Sequence, residues 1–99
     1  MTMTIGVARV TLHFDDNESL KEKRQVIRSI TARVRDKFNV SIAEVEDLDD
    51  MRLGTLGVTC VSNSAPHVDE MLATVISFIE RNVEYGVLGE IETEHIPYS

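Results

Sequence analysis

Lys21, Arg24, Arg28 and Arg35 recur at spacings of three, four and seven residues, which at about 100° per residue aligns their cations along one flank of a helix. A basic ridge of this kind is suited to the phosphates of an RNA, with Lys23 near the helix start as a further contact. The plainer reading is an ordinary solvated face, since Lys and Arg are good helix formers and Lys37 complements the C-terminal dipole. Other chemistry-bearing patterns are missing from the sequence. There is no phosphate-binding glycine loop, no Cys-x-x-Cys and no pair of histidines at ligand spacing. Asp47, Asp49 and Asp50 resemble the start of a calcium loop, but Arg52 and Val58 stand where that loop needs Gly and Glu. His13, His67 and His95 are scattered and suit surface or capping roles. No catalytic residue, metal site, cofactor or small-molecule substrate is evident, so the expectation is a protein that is not an enzyme.

The helix carrying the ridge announces its own start. The Ser19 hydroxyl can accept from the Glu22 amide while the Glu22 carboxylate reaches back to that of Ser19, a capping box. Leu20, Ile27, Ile30, Val34 and Phe38 then fall on one arc, with Val26 at its edge, wide enough to be buried against a sheet. Lys23 lies inside that apolar arc, so either its stem snorkels over the sheet edge or its ammonium reaches an acidic partner.

Charge is unevenly distributed around this helix. Residues 1–37 hold eight Lys or Arg against five acids, and residues 38–99 hold two against twelve, for a net charge of −7. An acidic chain of this kind is repelled by DNA and anionic membranes at long range, which excludes indiscriminate binding but not a local, oriented contact. Ninety-nine residues suit one domain with a modest core. The single Cys60, in the apolar run Leu56 to Val61, allows no internal disulfide and reads as a buried thiol in a reducing compartment. No segment has the length of a membrane span and the N-terminus lacks a signal-peptide pattern, so a cytoplasmic protein is expected.

Hydrophobic period switches from two to about 3.6 and back, twice. Ala8, Val10, Leu12 and Phe14 alternate with Arg9, Thr11 and His13 as a first strand. After the helix, which ends near Lys37, residues 40–45 form a short second strand and residues 46–54 a polar connection. A third strand spans 55–61. Ser62, Asn63 and Ser64 offer caps for a second helix, with Pro66 in its first turn and Val68, Met71, Leu72, Val75, Ile76, Ile79 and Val83 as its apolar stripe. Gly86 precedes a last strand over 87–96 that Pro97 stops. The order βαββαβ implies an α+β ferredoxin-like sandwich: one domain over 1–99, with a four-stranded antiparallel sheet covered on one face by both helices. Parity places Arg9, Thr11 and His13 on the open face, together with Leu88, Glu90, Glu92 and Glu94 if Val87, Gly89 and Ile91 face the helices. Arg9 then meets one of those glutamates across the strands. Val7, Arg9 and Leu88 are the candidate interaction residues of this face.

Ser-Leu-Lys-Glu-Lys-Arg at 19–24, Phe-Asn-Val-Ser-Ile-Ala-Glu-Val at 38–45, Leu-Gly-Val at 56–58 and Val-Ser-Asn at 61–63 resemble the small bacterial YlxP-like proteins, a family of unknown function. The resemblance covers nearly the whole chain. It implies a ferredoxin-like fold and, because the family's gene lies among translation-initiation and ribosome-maturation genes in some bacteria, association with RNA or the ribosome by analogy. It brings no catalytic residues. Relatives often carry Trp followed by Gln-Arg before the third strand, where this chain has Met51, Arg52 and Leu53.

Three functional classes follow. The first is an RNA- or ribosome-associated module using Lys21, Lys23, Arg24, Arg28 and Arg35. The second is a protein-interaction module, such as a homodimer, using the open sheet face or an edge strand. The third, an acylphosphatase-type enzyme, ranks last because Asp15-Asp16-Asn17-Glu18 would repel the phosphate that such a loop must hold. An RNA-recognition mechanism based on stacking is disfavoured too, because neither the first nor the third strand offers an aromatic on the open face.

Overall fold

The computed structural model describes residues 2–16 and 19–99; the expected loop residues Asn17 and Glu18 lie outside the described residues. The chain runs β1 (Met3–His13), α1 (Leu20–Lys37), β2 (Ser41–Glu46), β3 (Leu53–Ser62), α2 (Ala65–Asn82) and β4 (Val87–Tyr98). The strands form one antiparallel sheet in the order β2-β3-β1-β4, the βαββαβ ferredoxin-like arrangement.

Local chemistry places the helix ends where the sequence suggests. Ser19 Oγ accepts from the Glu22 amide at 3.0 Å and Ser64 Oγ from the His67 amide at 3.3 Å, so each helix starts at a hydroxyl cap. Pro66 sits in the first turn of α2, where a missing N–H costs no hydrogen bond. Both helices bury their apolar stripes on one face of the sheet. Ile27, Ile30 and Val34 from α1 and Val68, Leu72, Val75 and Ile79 from α2 join Ala8, Val10, Leu12, Ile42, Leu56 and Val58 in one core. Phe78, outside the expected stripe, is also buried, and meets Phe38 edge to face with ring centroids 5.4 Å apart.

Two departures from simple alternation change which residues face where. The β1–β4 register shifts between Val10 and Leu12: Val10 pairs with Ile91, but Leu12 pairs with Leu88. β4 therefore holds one extra residue at Gly89–Glu90, a bulge, and parity inverts beyond it. Leu88 consequently packs against the core and Val87 is 68% exposed on the open side, the reverse of the expected assignment. Gly89 suits the bulge because a Cβ there would run into the His13 imidazole. The last strand also runs through Pro97 rather than stopping at it, with Pro97 paired to Thr4. β4 is an edge strand, where a residue without an N–H is tolerated.

At the far end of the sheet the backbone of β1 passes close beneath α2. A methyl on Gly6 would collide with Val68 Cγ1 and come within 2.9 Å of Cys60 Sγ. The close approach buries Cys60, and burial pushes its thiol pKa above the ordinary 9.0, opposed by a backbone hydrogen bond with Gly6.

Candidate functional site

α1 carries the basic ridge along its outer flank, above the β2 side of the sheet. Lys21, Arg24, Arg28 and Arg35 are all exposed, but their situations differ. Arg35 donates to the Ile42 carbonyl oxygen at 2.6 Å, bracing edge strand β2. Arg24 lies 3.6 Å from the exposed Asp49 carboxylate, a contact that water and salt weaken. Lys21 and Arg28 make no ion pair among the described residues. The available cations are therefore concentrated in the first half of the helix.

Lys23 is not part of that surface. It is fully buried, at 0% exposure, and so cannot act as the phosphate contact expected of it. Its ammonium donates to the carbonyl oxygens of Asp47 at 2.7 Å and Leu53 at 3.0 Å, with that of Leu48 at 3.4 Å. The Glu44 carboxylate oxygen Oε2 stands 3.0 Å away. Of the two readings of its position in the apolar arc, the acidic partner is the one realised. A buried ammonium is tolerable only when its three donors are satisfied, and the connection between β2 and β3 supplies the acceptors. Asp47 adopts φ 64°, turning its carbonyl to Lys23, while its carboxylate accepts from Thr55 Oγ1 at 2.8 Å. Of the acidic residues that resemble a calcium loop, Asp47 turns its carbonyl to Lys23, Asp49 faces Arg24 and Asp50 accepts from the Arg52 amide at 2.8 Å.

The other basic residues of α1 hold the two helices together. Arg33 donates to the carbonyl and side-chain oxygens of Asn82 at 3.3 and 2.9 Å. Its guanidinium lies over the Phe78 ring, as does the Lys37 ammonium at 5.1 Å.

On the open face Arg9 reaches in both directions. Its Nε is 3.3 Å from Glu46 on β2 and its Nη1 is 3.8 Å from Glu92 on β4. Gly57 stands opposite Arg9 on the intervening strand, and the Val45 side chain packs over it, 3.0 Å from where a Cβ would lie. The expected cross-strand pair with a β4 glutamate is present, and the Glu46 arm is an addition made possible by the β2 bulge between Glu44 and Glu46. Beyond Arg9 the same face becomes apolar. Val61, Ile5 and Ile96 lie in one row across β3, β1 and β4, with Met3, Val7 and Tyr98 around them. Of the six only Ile5 is half-buried; the rest are exposed. Val7, Val61 and Ile96 follow from parity within the expected strands, whereas Tyr98 joins them only because β4 continues through Pro97.

A groove of about 520 Å³ lies between α1 and the segment before β4, with Phe14, Val26 and Ile30 as apolar lining and Asp16, Glu22 and Glu84 as acids. Among the described residues no three His, Cys, Asp or Glu side chains converge on a point where a metal could sit. Among the described residues no helix is long and apolar enough to cross a membrane.

These features define a ferredoxin-like α+β domain with a charged helix flank and an uncovered sheet face. Residues 5–91 match the family described as "Protein of unknown function (DUF503)", and the chain belongs to that family. It is 40% identical over 76 residues to "Uncharacterized protein YlxP" of Bacillus subtilis (strain 168), covering 77% of this chain and 83% of that protein. The resemblance to YlxP-like proteins is therefore borne out. Among solved structures, the de novo designed protein Ferredog-Diesel aligns with a TM-score of 0.47 at 15% identity, over 92% of this chain and 83% of the design.

Proposed function

We propose that this protein is a non-catalytic module that associates with RNA, in the setting of the ribosome, through the exposed cations Lys21, Arg24 and Arg28 at the head of α1. One observation carries the reading. In a chain of net charge −7, Lys21 and Arg28 project about two turns apart with no ion pair among the described residues, and Arg24 between them has only an exposed carboxylate at 3.6 Å. Cations at this pitch suit successive phosphates, and the acidic remainder would restrict approach to one orientation. Arg35 contributes at the margin, because one of its Nη groups is engaged by β2. The test is co-sedimentation with ribosomal subunits at low salt, comparing the wild type with Lys21→Gln/Arg24→Gln/Arg28→Gln. The wild type should pellet with a subunit and the folded variant should not.

The second reading is a homodimer formed across the open sheet face. The apolar row Val61, Ile5 and Ile96 favours it, because contiguous exposed apolar surface of this kind marks an interaction site.

A further inference from the structure

The sheet has two edges, and only one is closed. At the β2 edge the strand is six residues long, bulged, and braced at the Ile42 carbonyl by Arg35. β4, the opposite edge, is twelve residues long. Among the described residues its outer backbone groups make no hydrogen bond to any loop or helix. An edge of this length with free N–H and C=O groups is a template for another strand.

We propose that the outer edge of β4 accepts an extended peptide segment of a partner protein in which basic and apolar residues alternate. The two faces of β4 dictate that pattern. On the open face, Glu92 and Glu94 stand opposite Arg9 and Val7, so residues of an added strand facing that way meet carboxylates. On the helix face, Ile91 is 45% exposed although it pairs with the buried Val10. It lines a groove of about 660 Å³ between β4 and α2, with Leu72, Ala73, Ile76 and Ser77 along the helix. The small side chains of Ala73 and Ser77, one turn apart, leave the space that an apolar side chain of the incoming strand would fill. Successive residues of a strand alternate between these faces, so cations on one side and apolar groups on the other are read together.

Charge argues against a second copy as the occupant. Antiparallel self-pairing over the middle of the strand sets Glu92 and Glu94 against the same residues of the partner copy, and like charges directly opposite destabilise a pair. Glu80, also lining the groove, adds to the acidic rim, while Asp69 is already held by His95 Nδ1 at 2.8 Å. A basic strand relieves this repulsion.

The experiment is an NMR titration of the ¹⁵N-labelled protein with a capped, alternating Lys–Val peptide about eight residues long, an ordinary strand length. Saturable binding is expected, with new hydrogen-exchange protection at the alternate, outward-pointing amides within residues 90–96. A peptide of the same composition with its lysines and valines in two blocks should bind at least about tenfold more weakly. Glu92→Lys/Glu94→Lys should weaken the alternating peptide by about tenfold or more. Equal binding of the two peptides would overturn the proposal, as would perturbations confined to α1 or to the Val61–Ile5–Ile96 row. So would a dimeric, peptide-free protein whose β4 amides are already protected. Each readout is independent of ribosome co-sedimentation.

Discussion

The ammonium of Lys23 and the carboxylate of Glu44 meet 3.0 Å apart beneath α1, and the pair ties the first helix to the second strand and to the loop that follows it. Glu44 Oε2 is buried and makes no hydrogen bond among the described residues, so the attraction of Lys23 is its compensation. Lys23 in turn depends on carbonyls that only the folded 47–53 segment presents.

Removing one partner should therefore cost more than removing both. Lys23→Met is expected to destabilise by about 3–5 kcal/mol, because it strands a carboxylate and the carbonyls of Asp47, Leu48 and Leu53. Adding Glu44→Leu should recover at least about 1 kcal/mol of that loss as a coupling energy. Urea denaturation of the two single variants and the double gives the cycle, and strictly additive losses would refute the coupling.

Packing beneath the two helices leaves little slack. Ile30→Ala or Val75→Ala, each at a residue 1% exposed, should cost about 2–4 kcal/mol. Gly6→Ala adds a methyl where Val68 and Cys60 already stand, and should cost about 1–3 kcal/mol by overpacking. A Gly6→Ala protein as stable as the wild type would show that β1 can draw away from the helix.

Cys60 should be inert in the native state, because burial raises its thiol pKa above 9.0. A group whose folded pKa is raised lends stability that is fully present below the unfolded value and is lost as pH rises through the folded one. Stability attributable to Cys60 should thus be constant near neutrality and fall above pH 9.0, a fall that Cys60→Ala removes. Thiol labelling at neutral pH should proceed only after denaturation; rapid labelling of the native protein would contradict the burial.

Much of the fold was legible because periodicity is a direct trace of burial. The stripes through Ile27, Ile30 and Val34 and through Leu72, Val75 and Ile79, and the parity of Leu12 and Val58, all mark residues that are buried. Bulges leave a weaker trace. Gly89 is the local sign that the β4 register shifts, and strict alternation through it puts Leu88 on the open face. The ridge was readable as a spacing, but Lys23 shares the residue type of Lys21 and differs only in angle. That it lies among carbonyls depends on Asp47 and Leu53, 24 and 30 residues distant, a contact that no local pattern encodes.

If the open face pairs two copies, static light scattering at tens of micromolar, about the range in which weak dimers form, should return twice the 11.1 kDa chain mass. Val61→Glu/Ile96→Glu should return it to the monomer without unfolding it, since both side chains are exposed. A monomeric wild type would refute this reading.

The central claim is most directly tested by the salt dependence of binding to ribosomal subunits. Three phosphate contacts at about −0.7 each predict a log–log slope near −2 for the wild type. The Lys21→Gln/Arg24→Gln/Arg28→Gln variant should keep its melting temperature, because Gln preserves helix propensity, and should lose both the binding and the slope. No association by the wild type at low salt, or undiminished binding by the folded variant, would contradict the account.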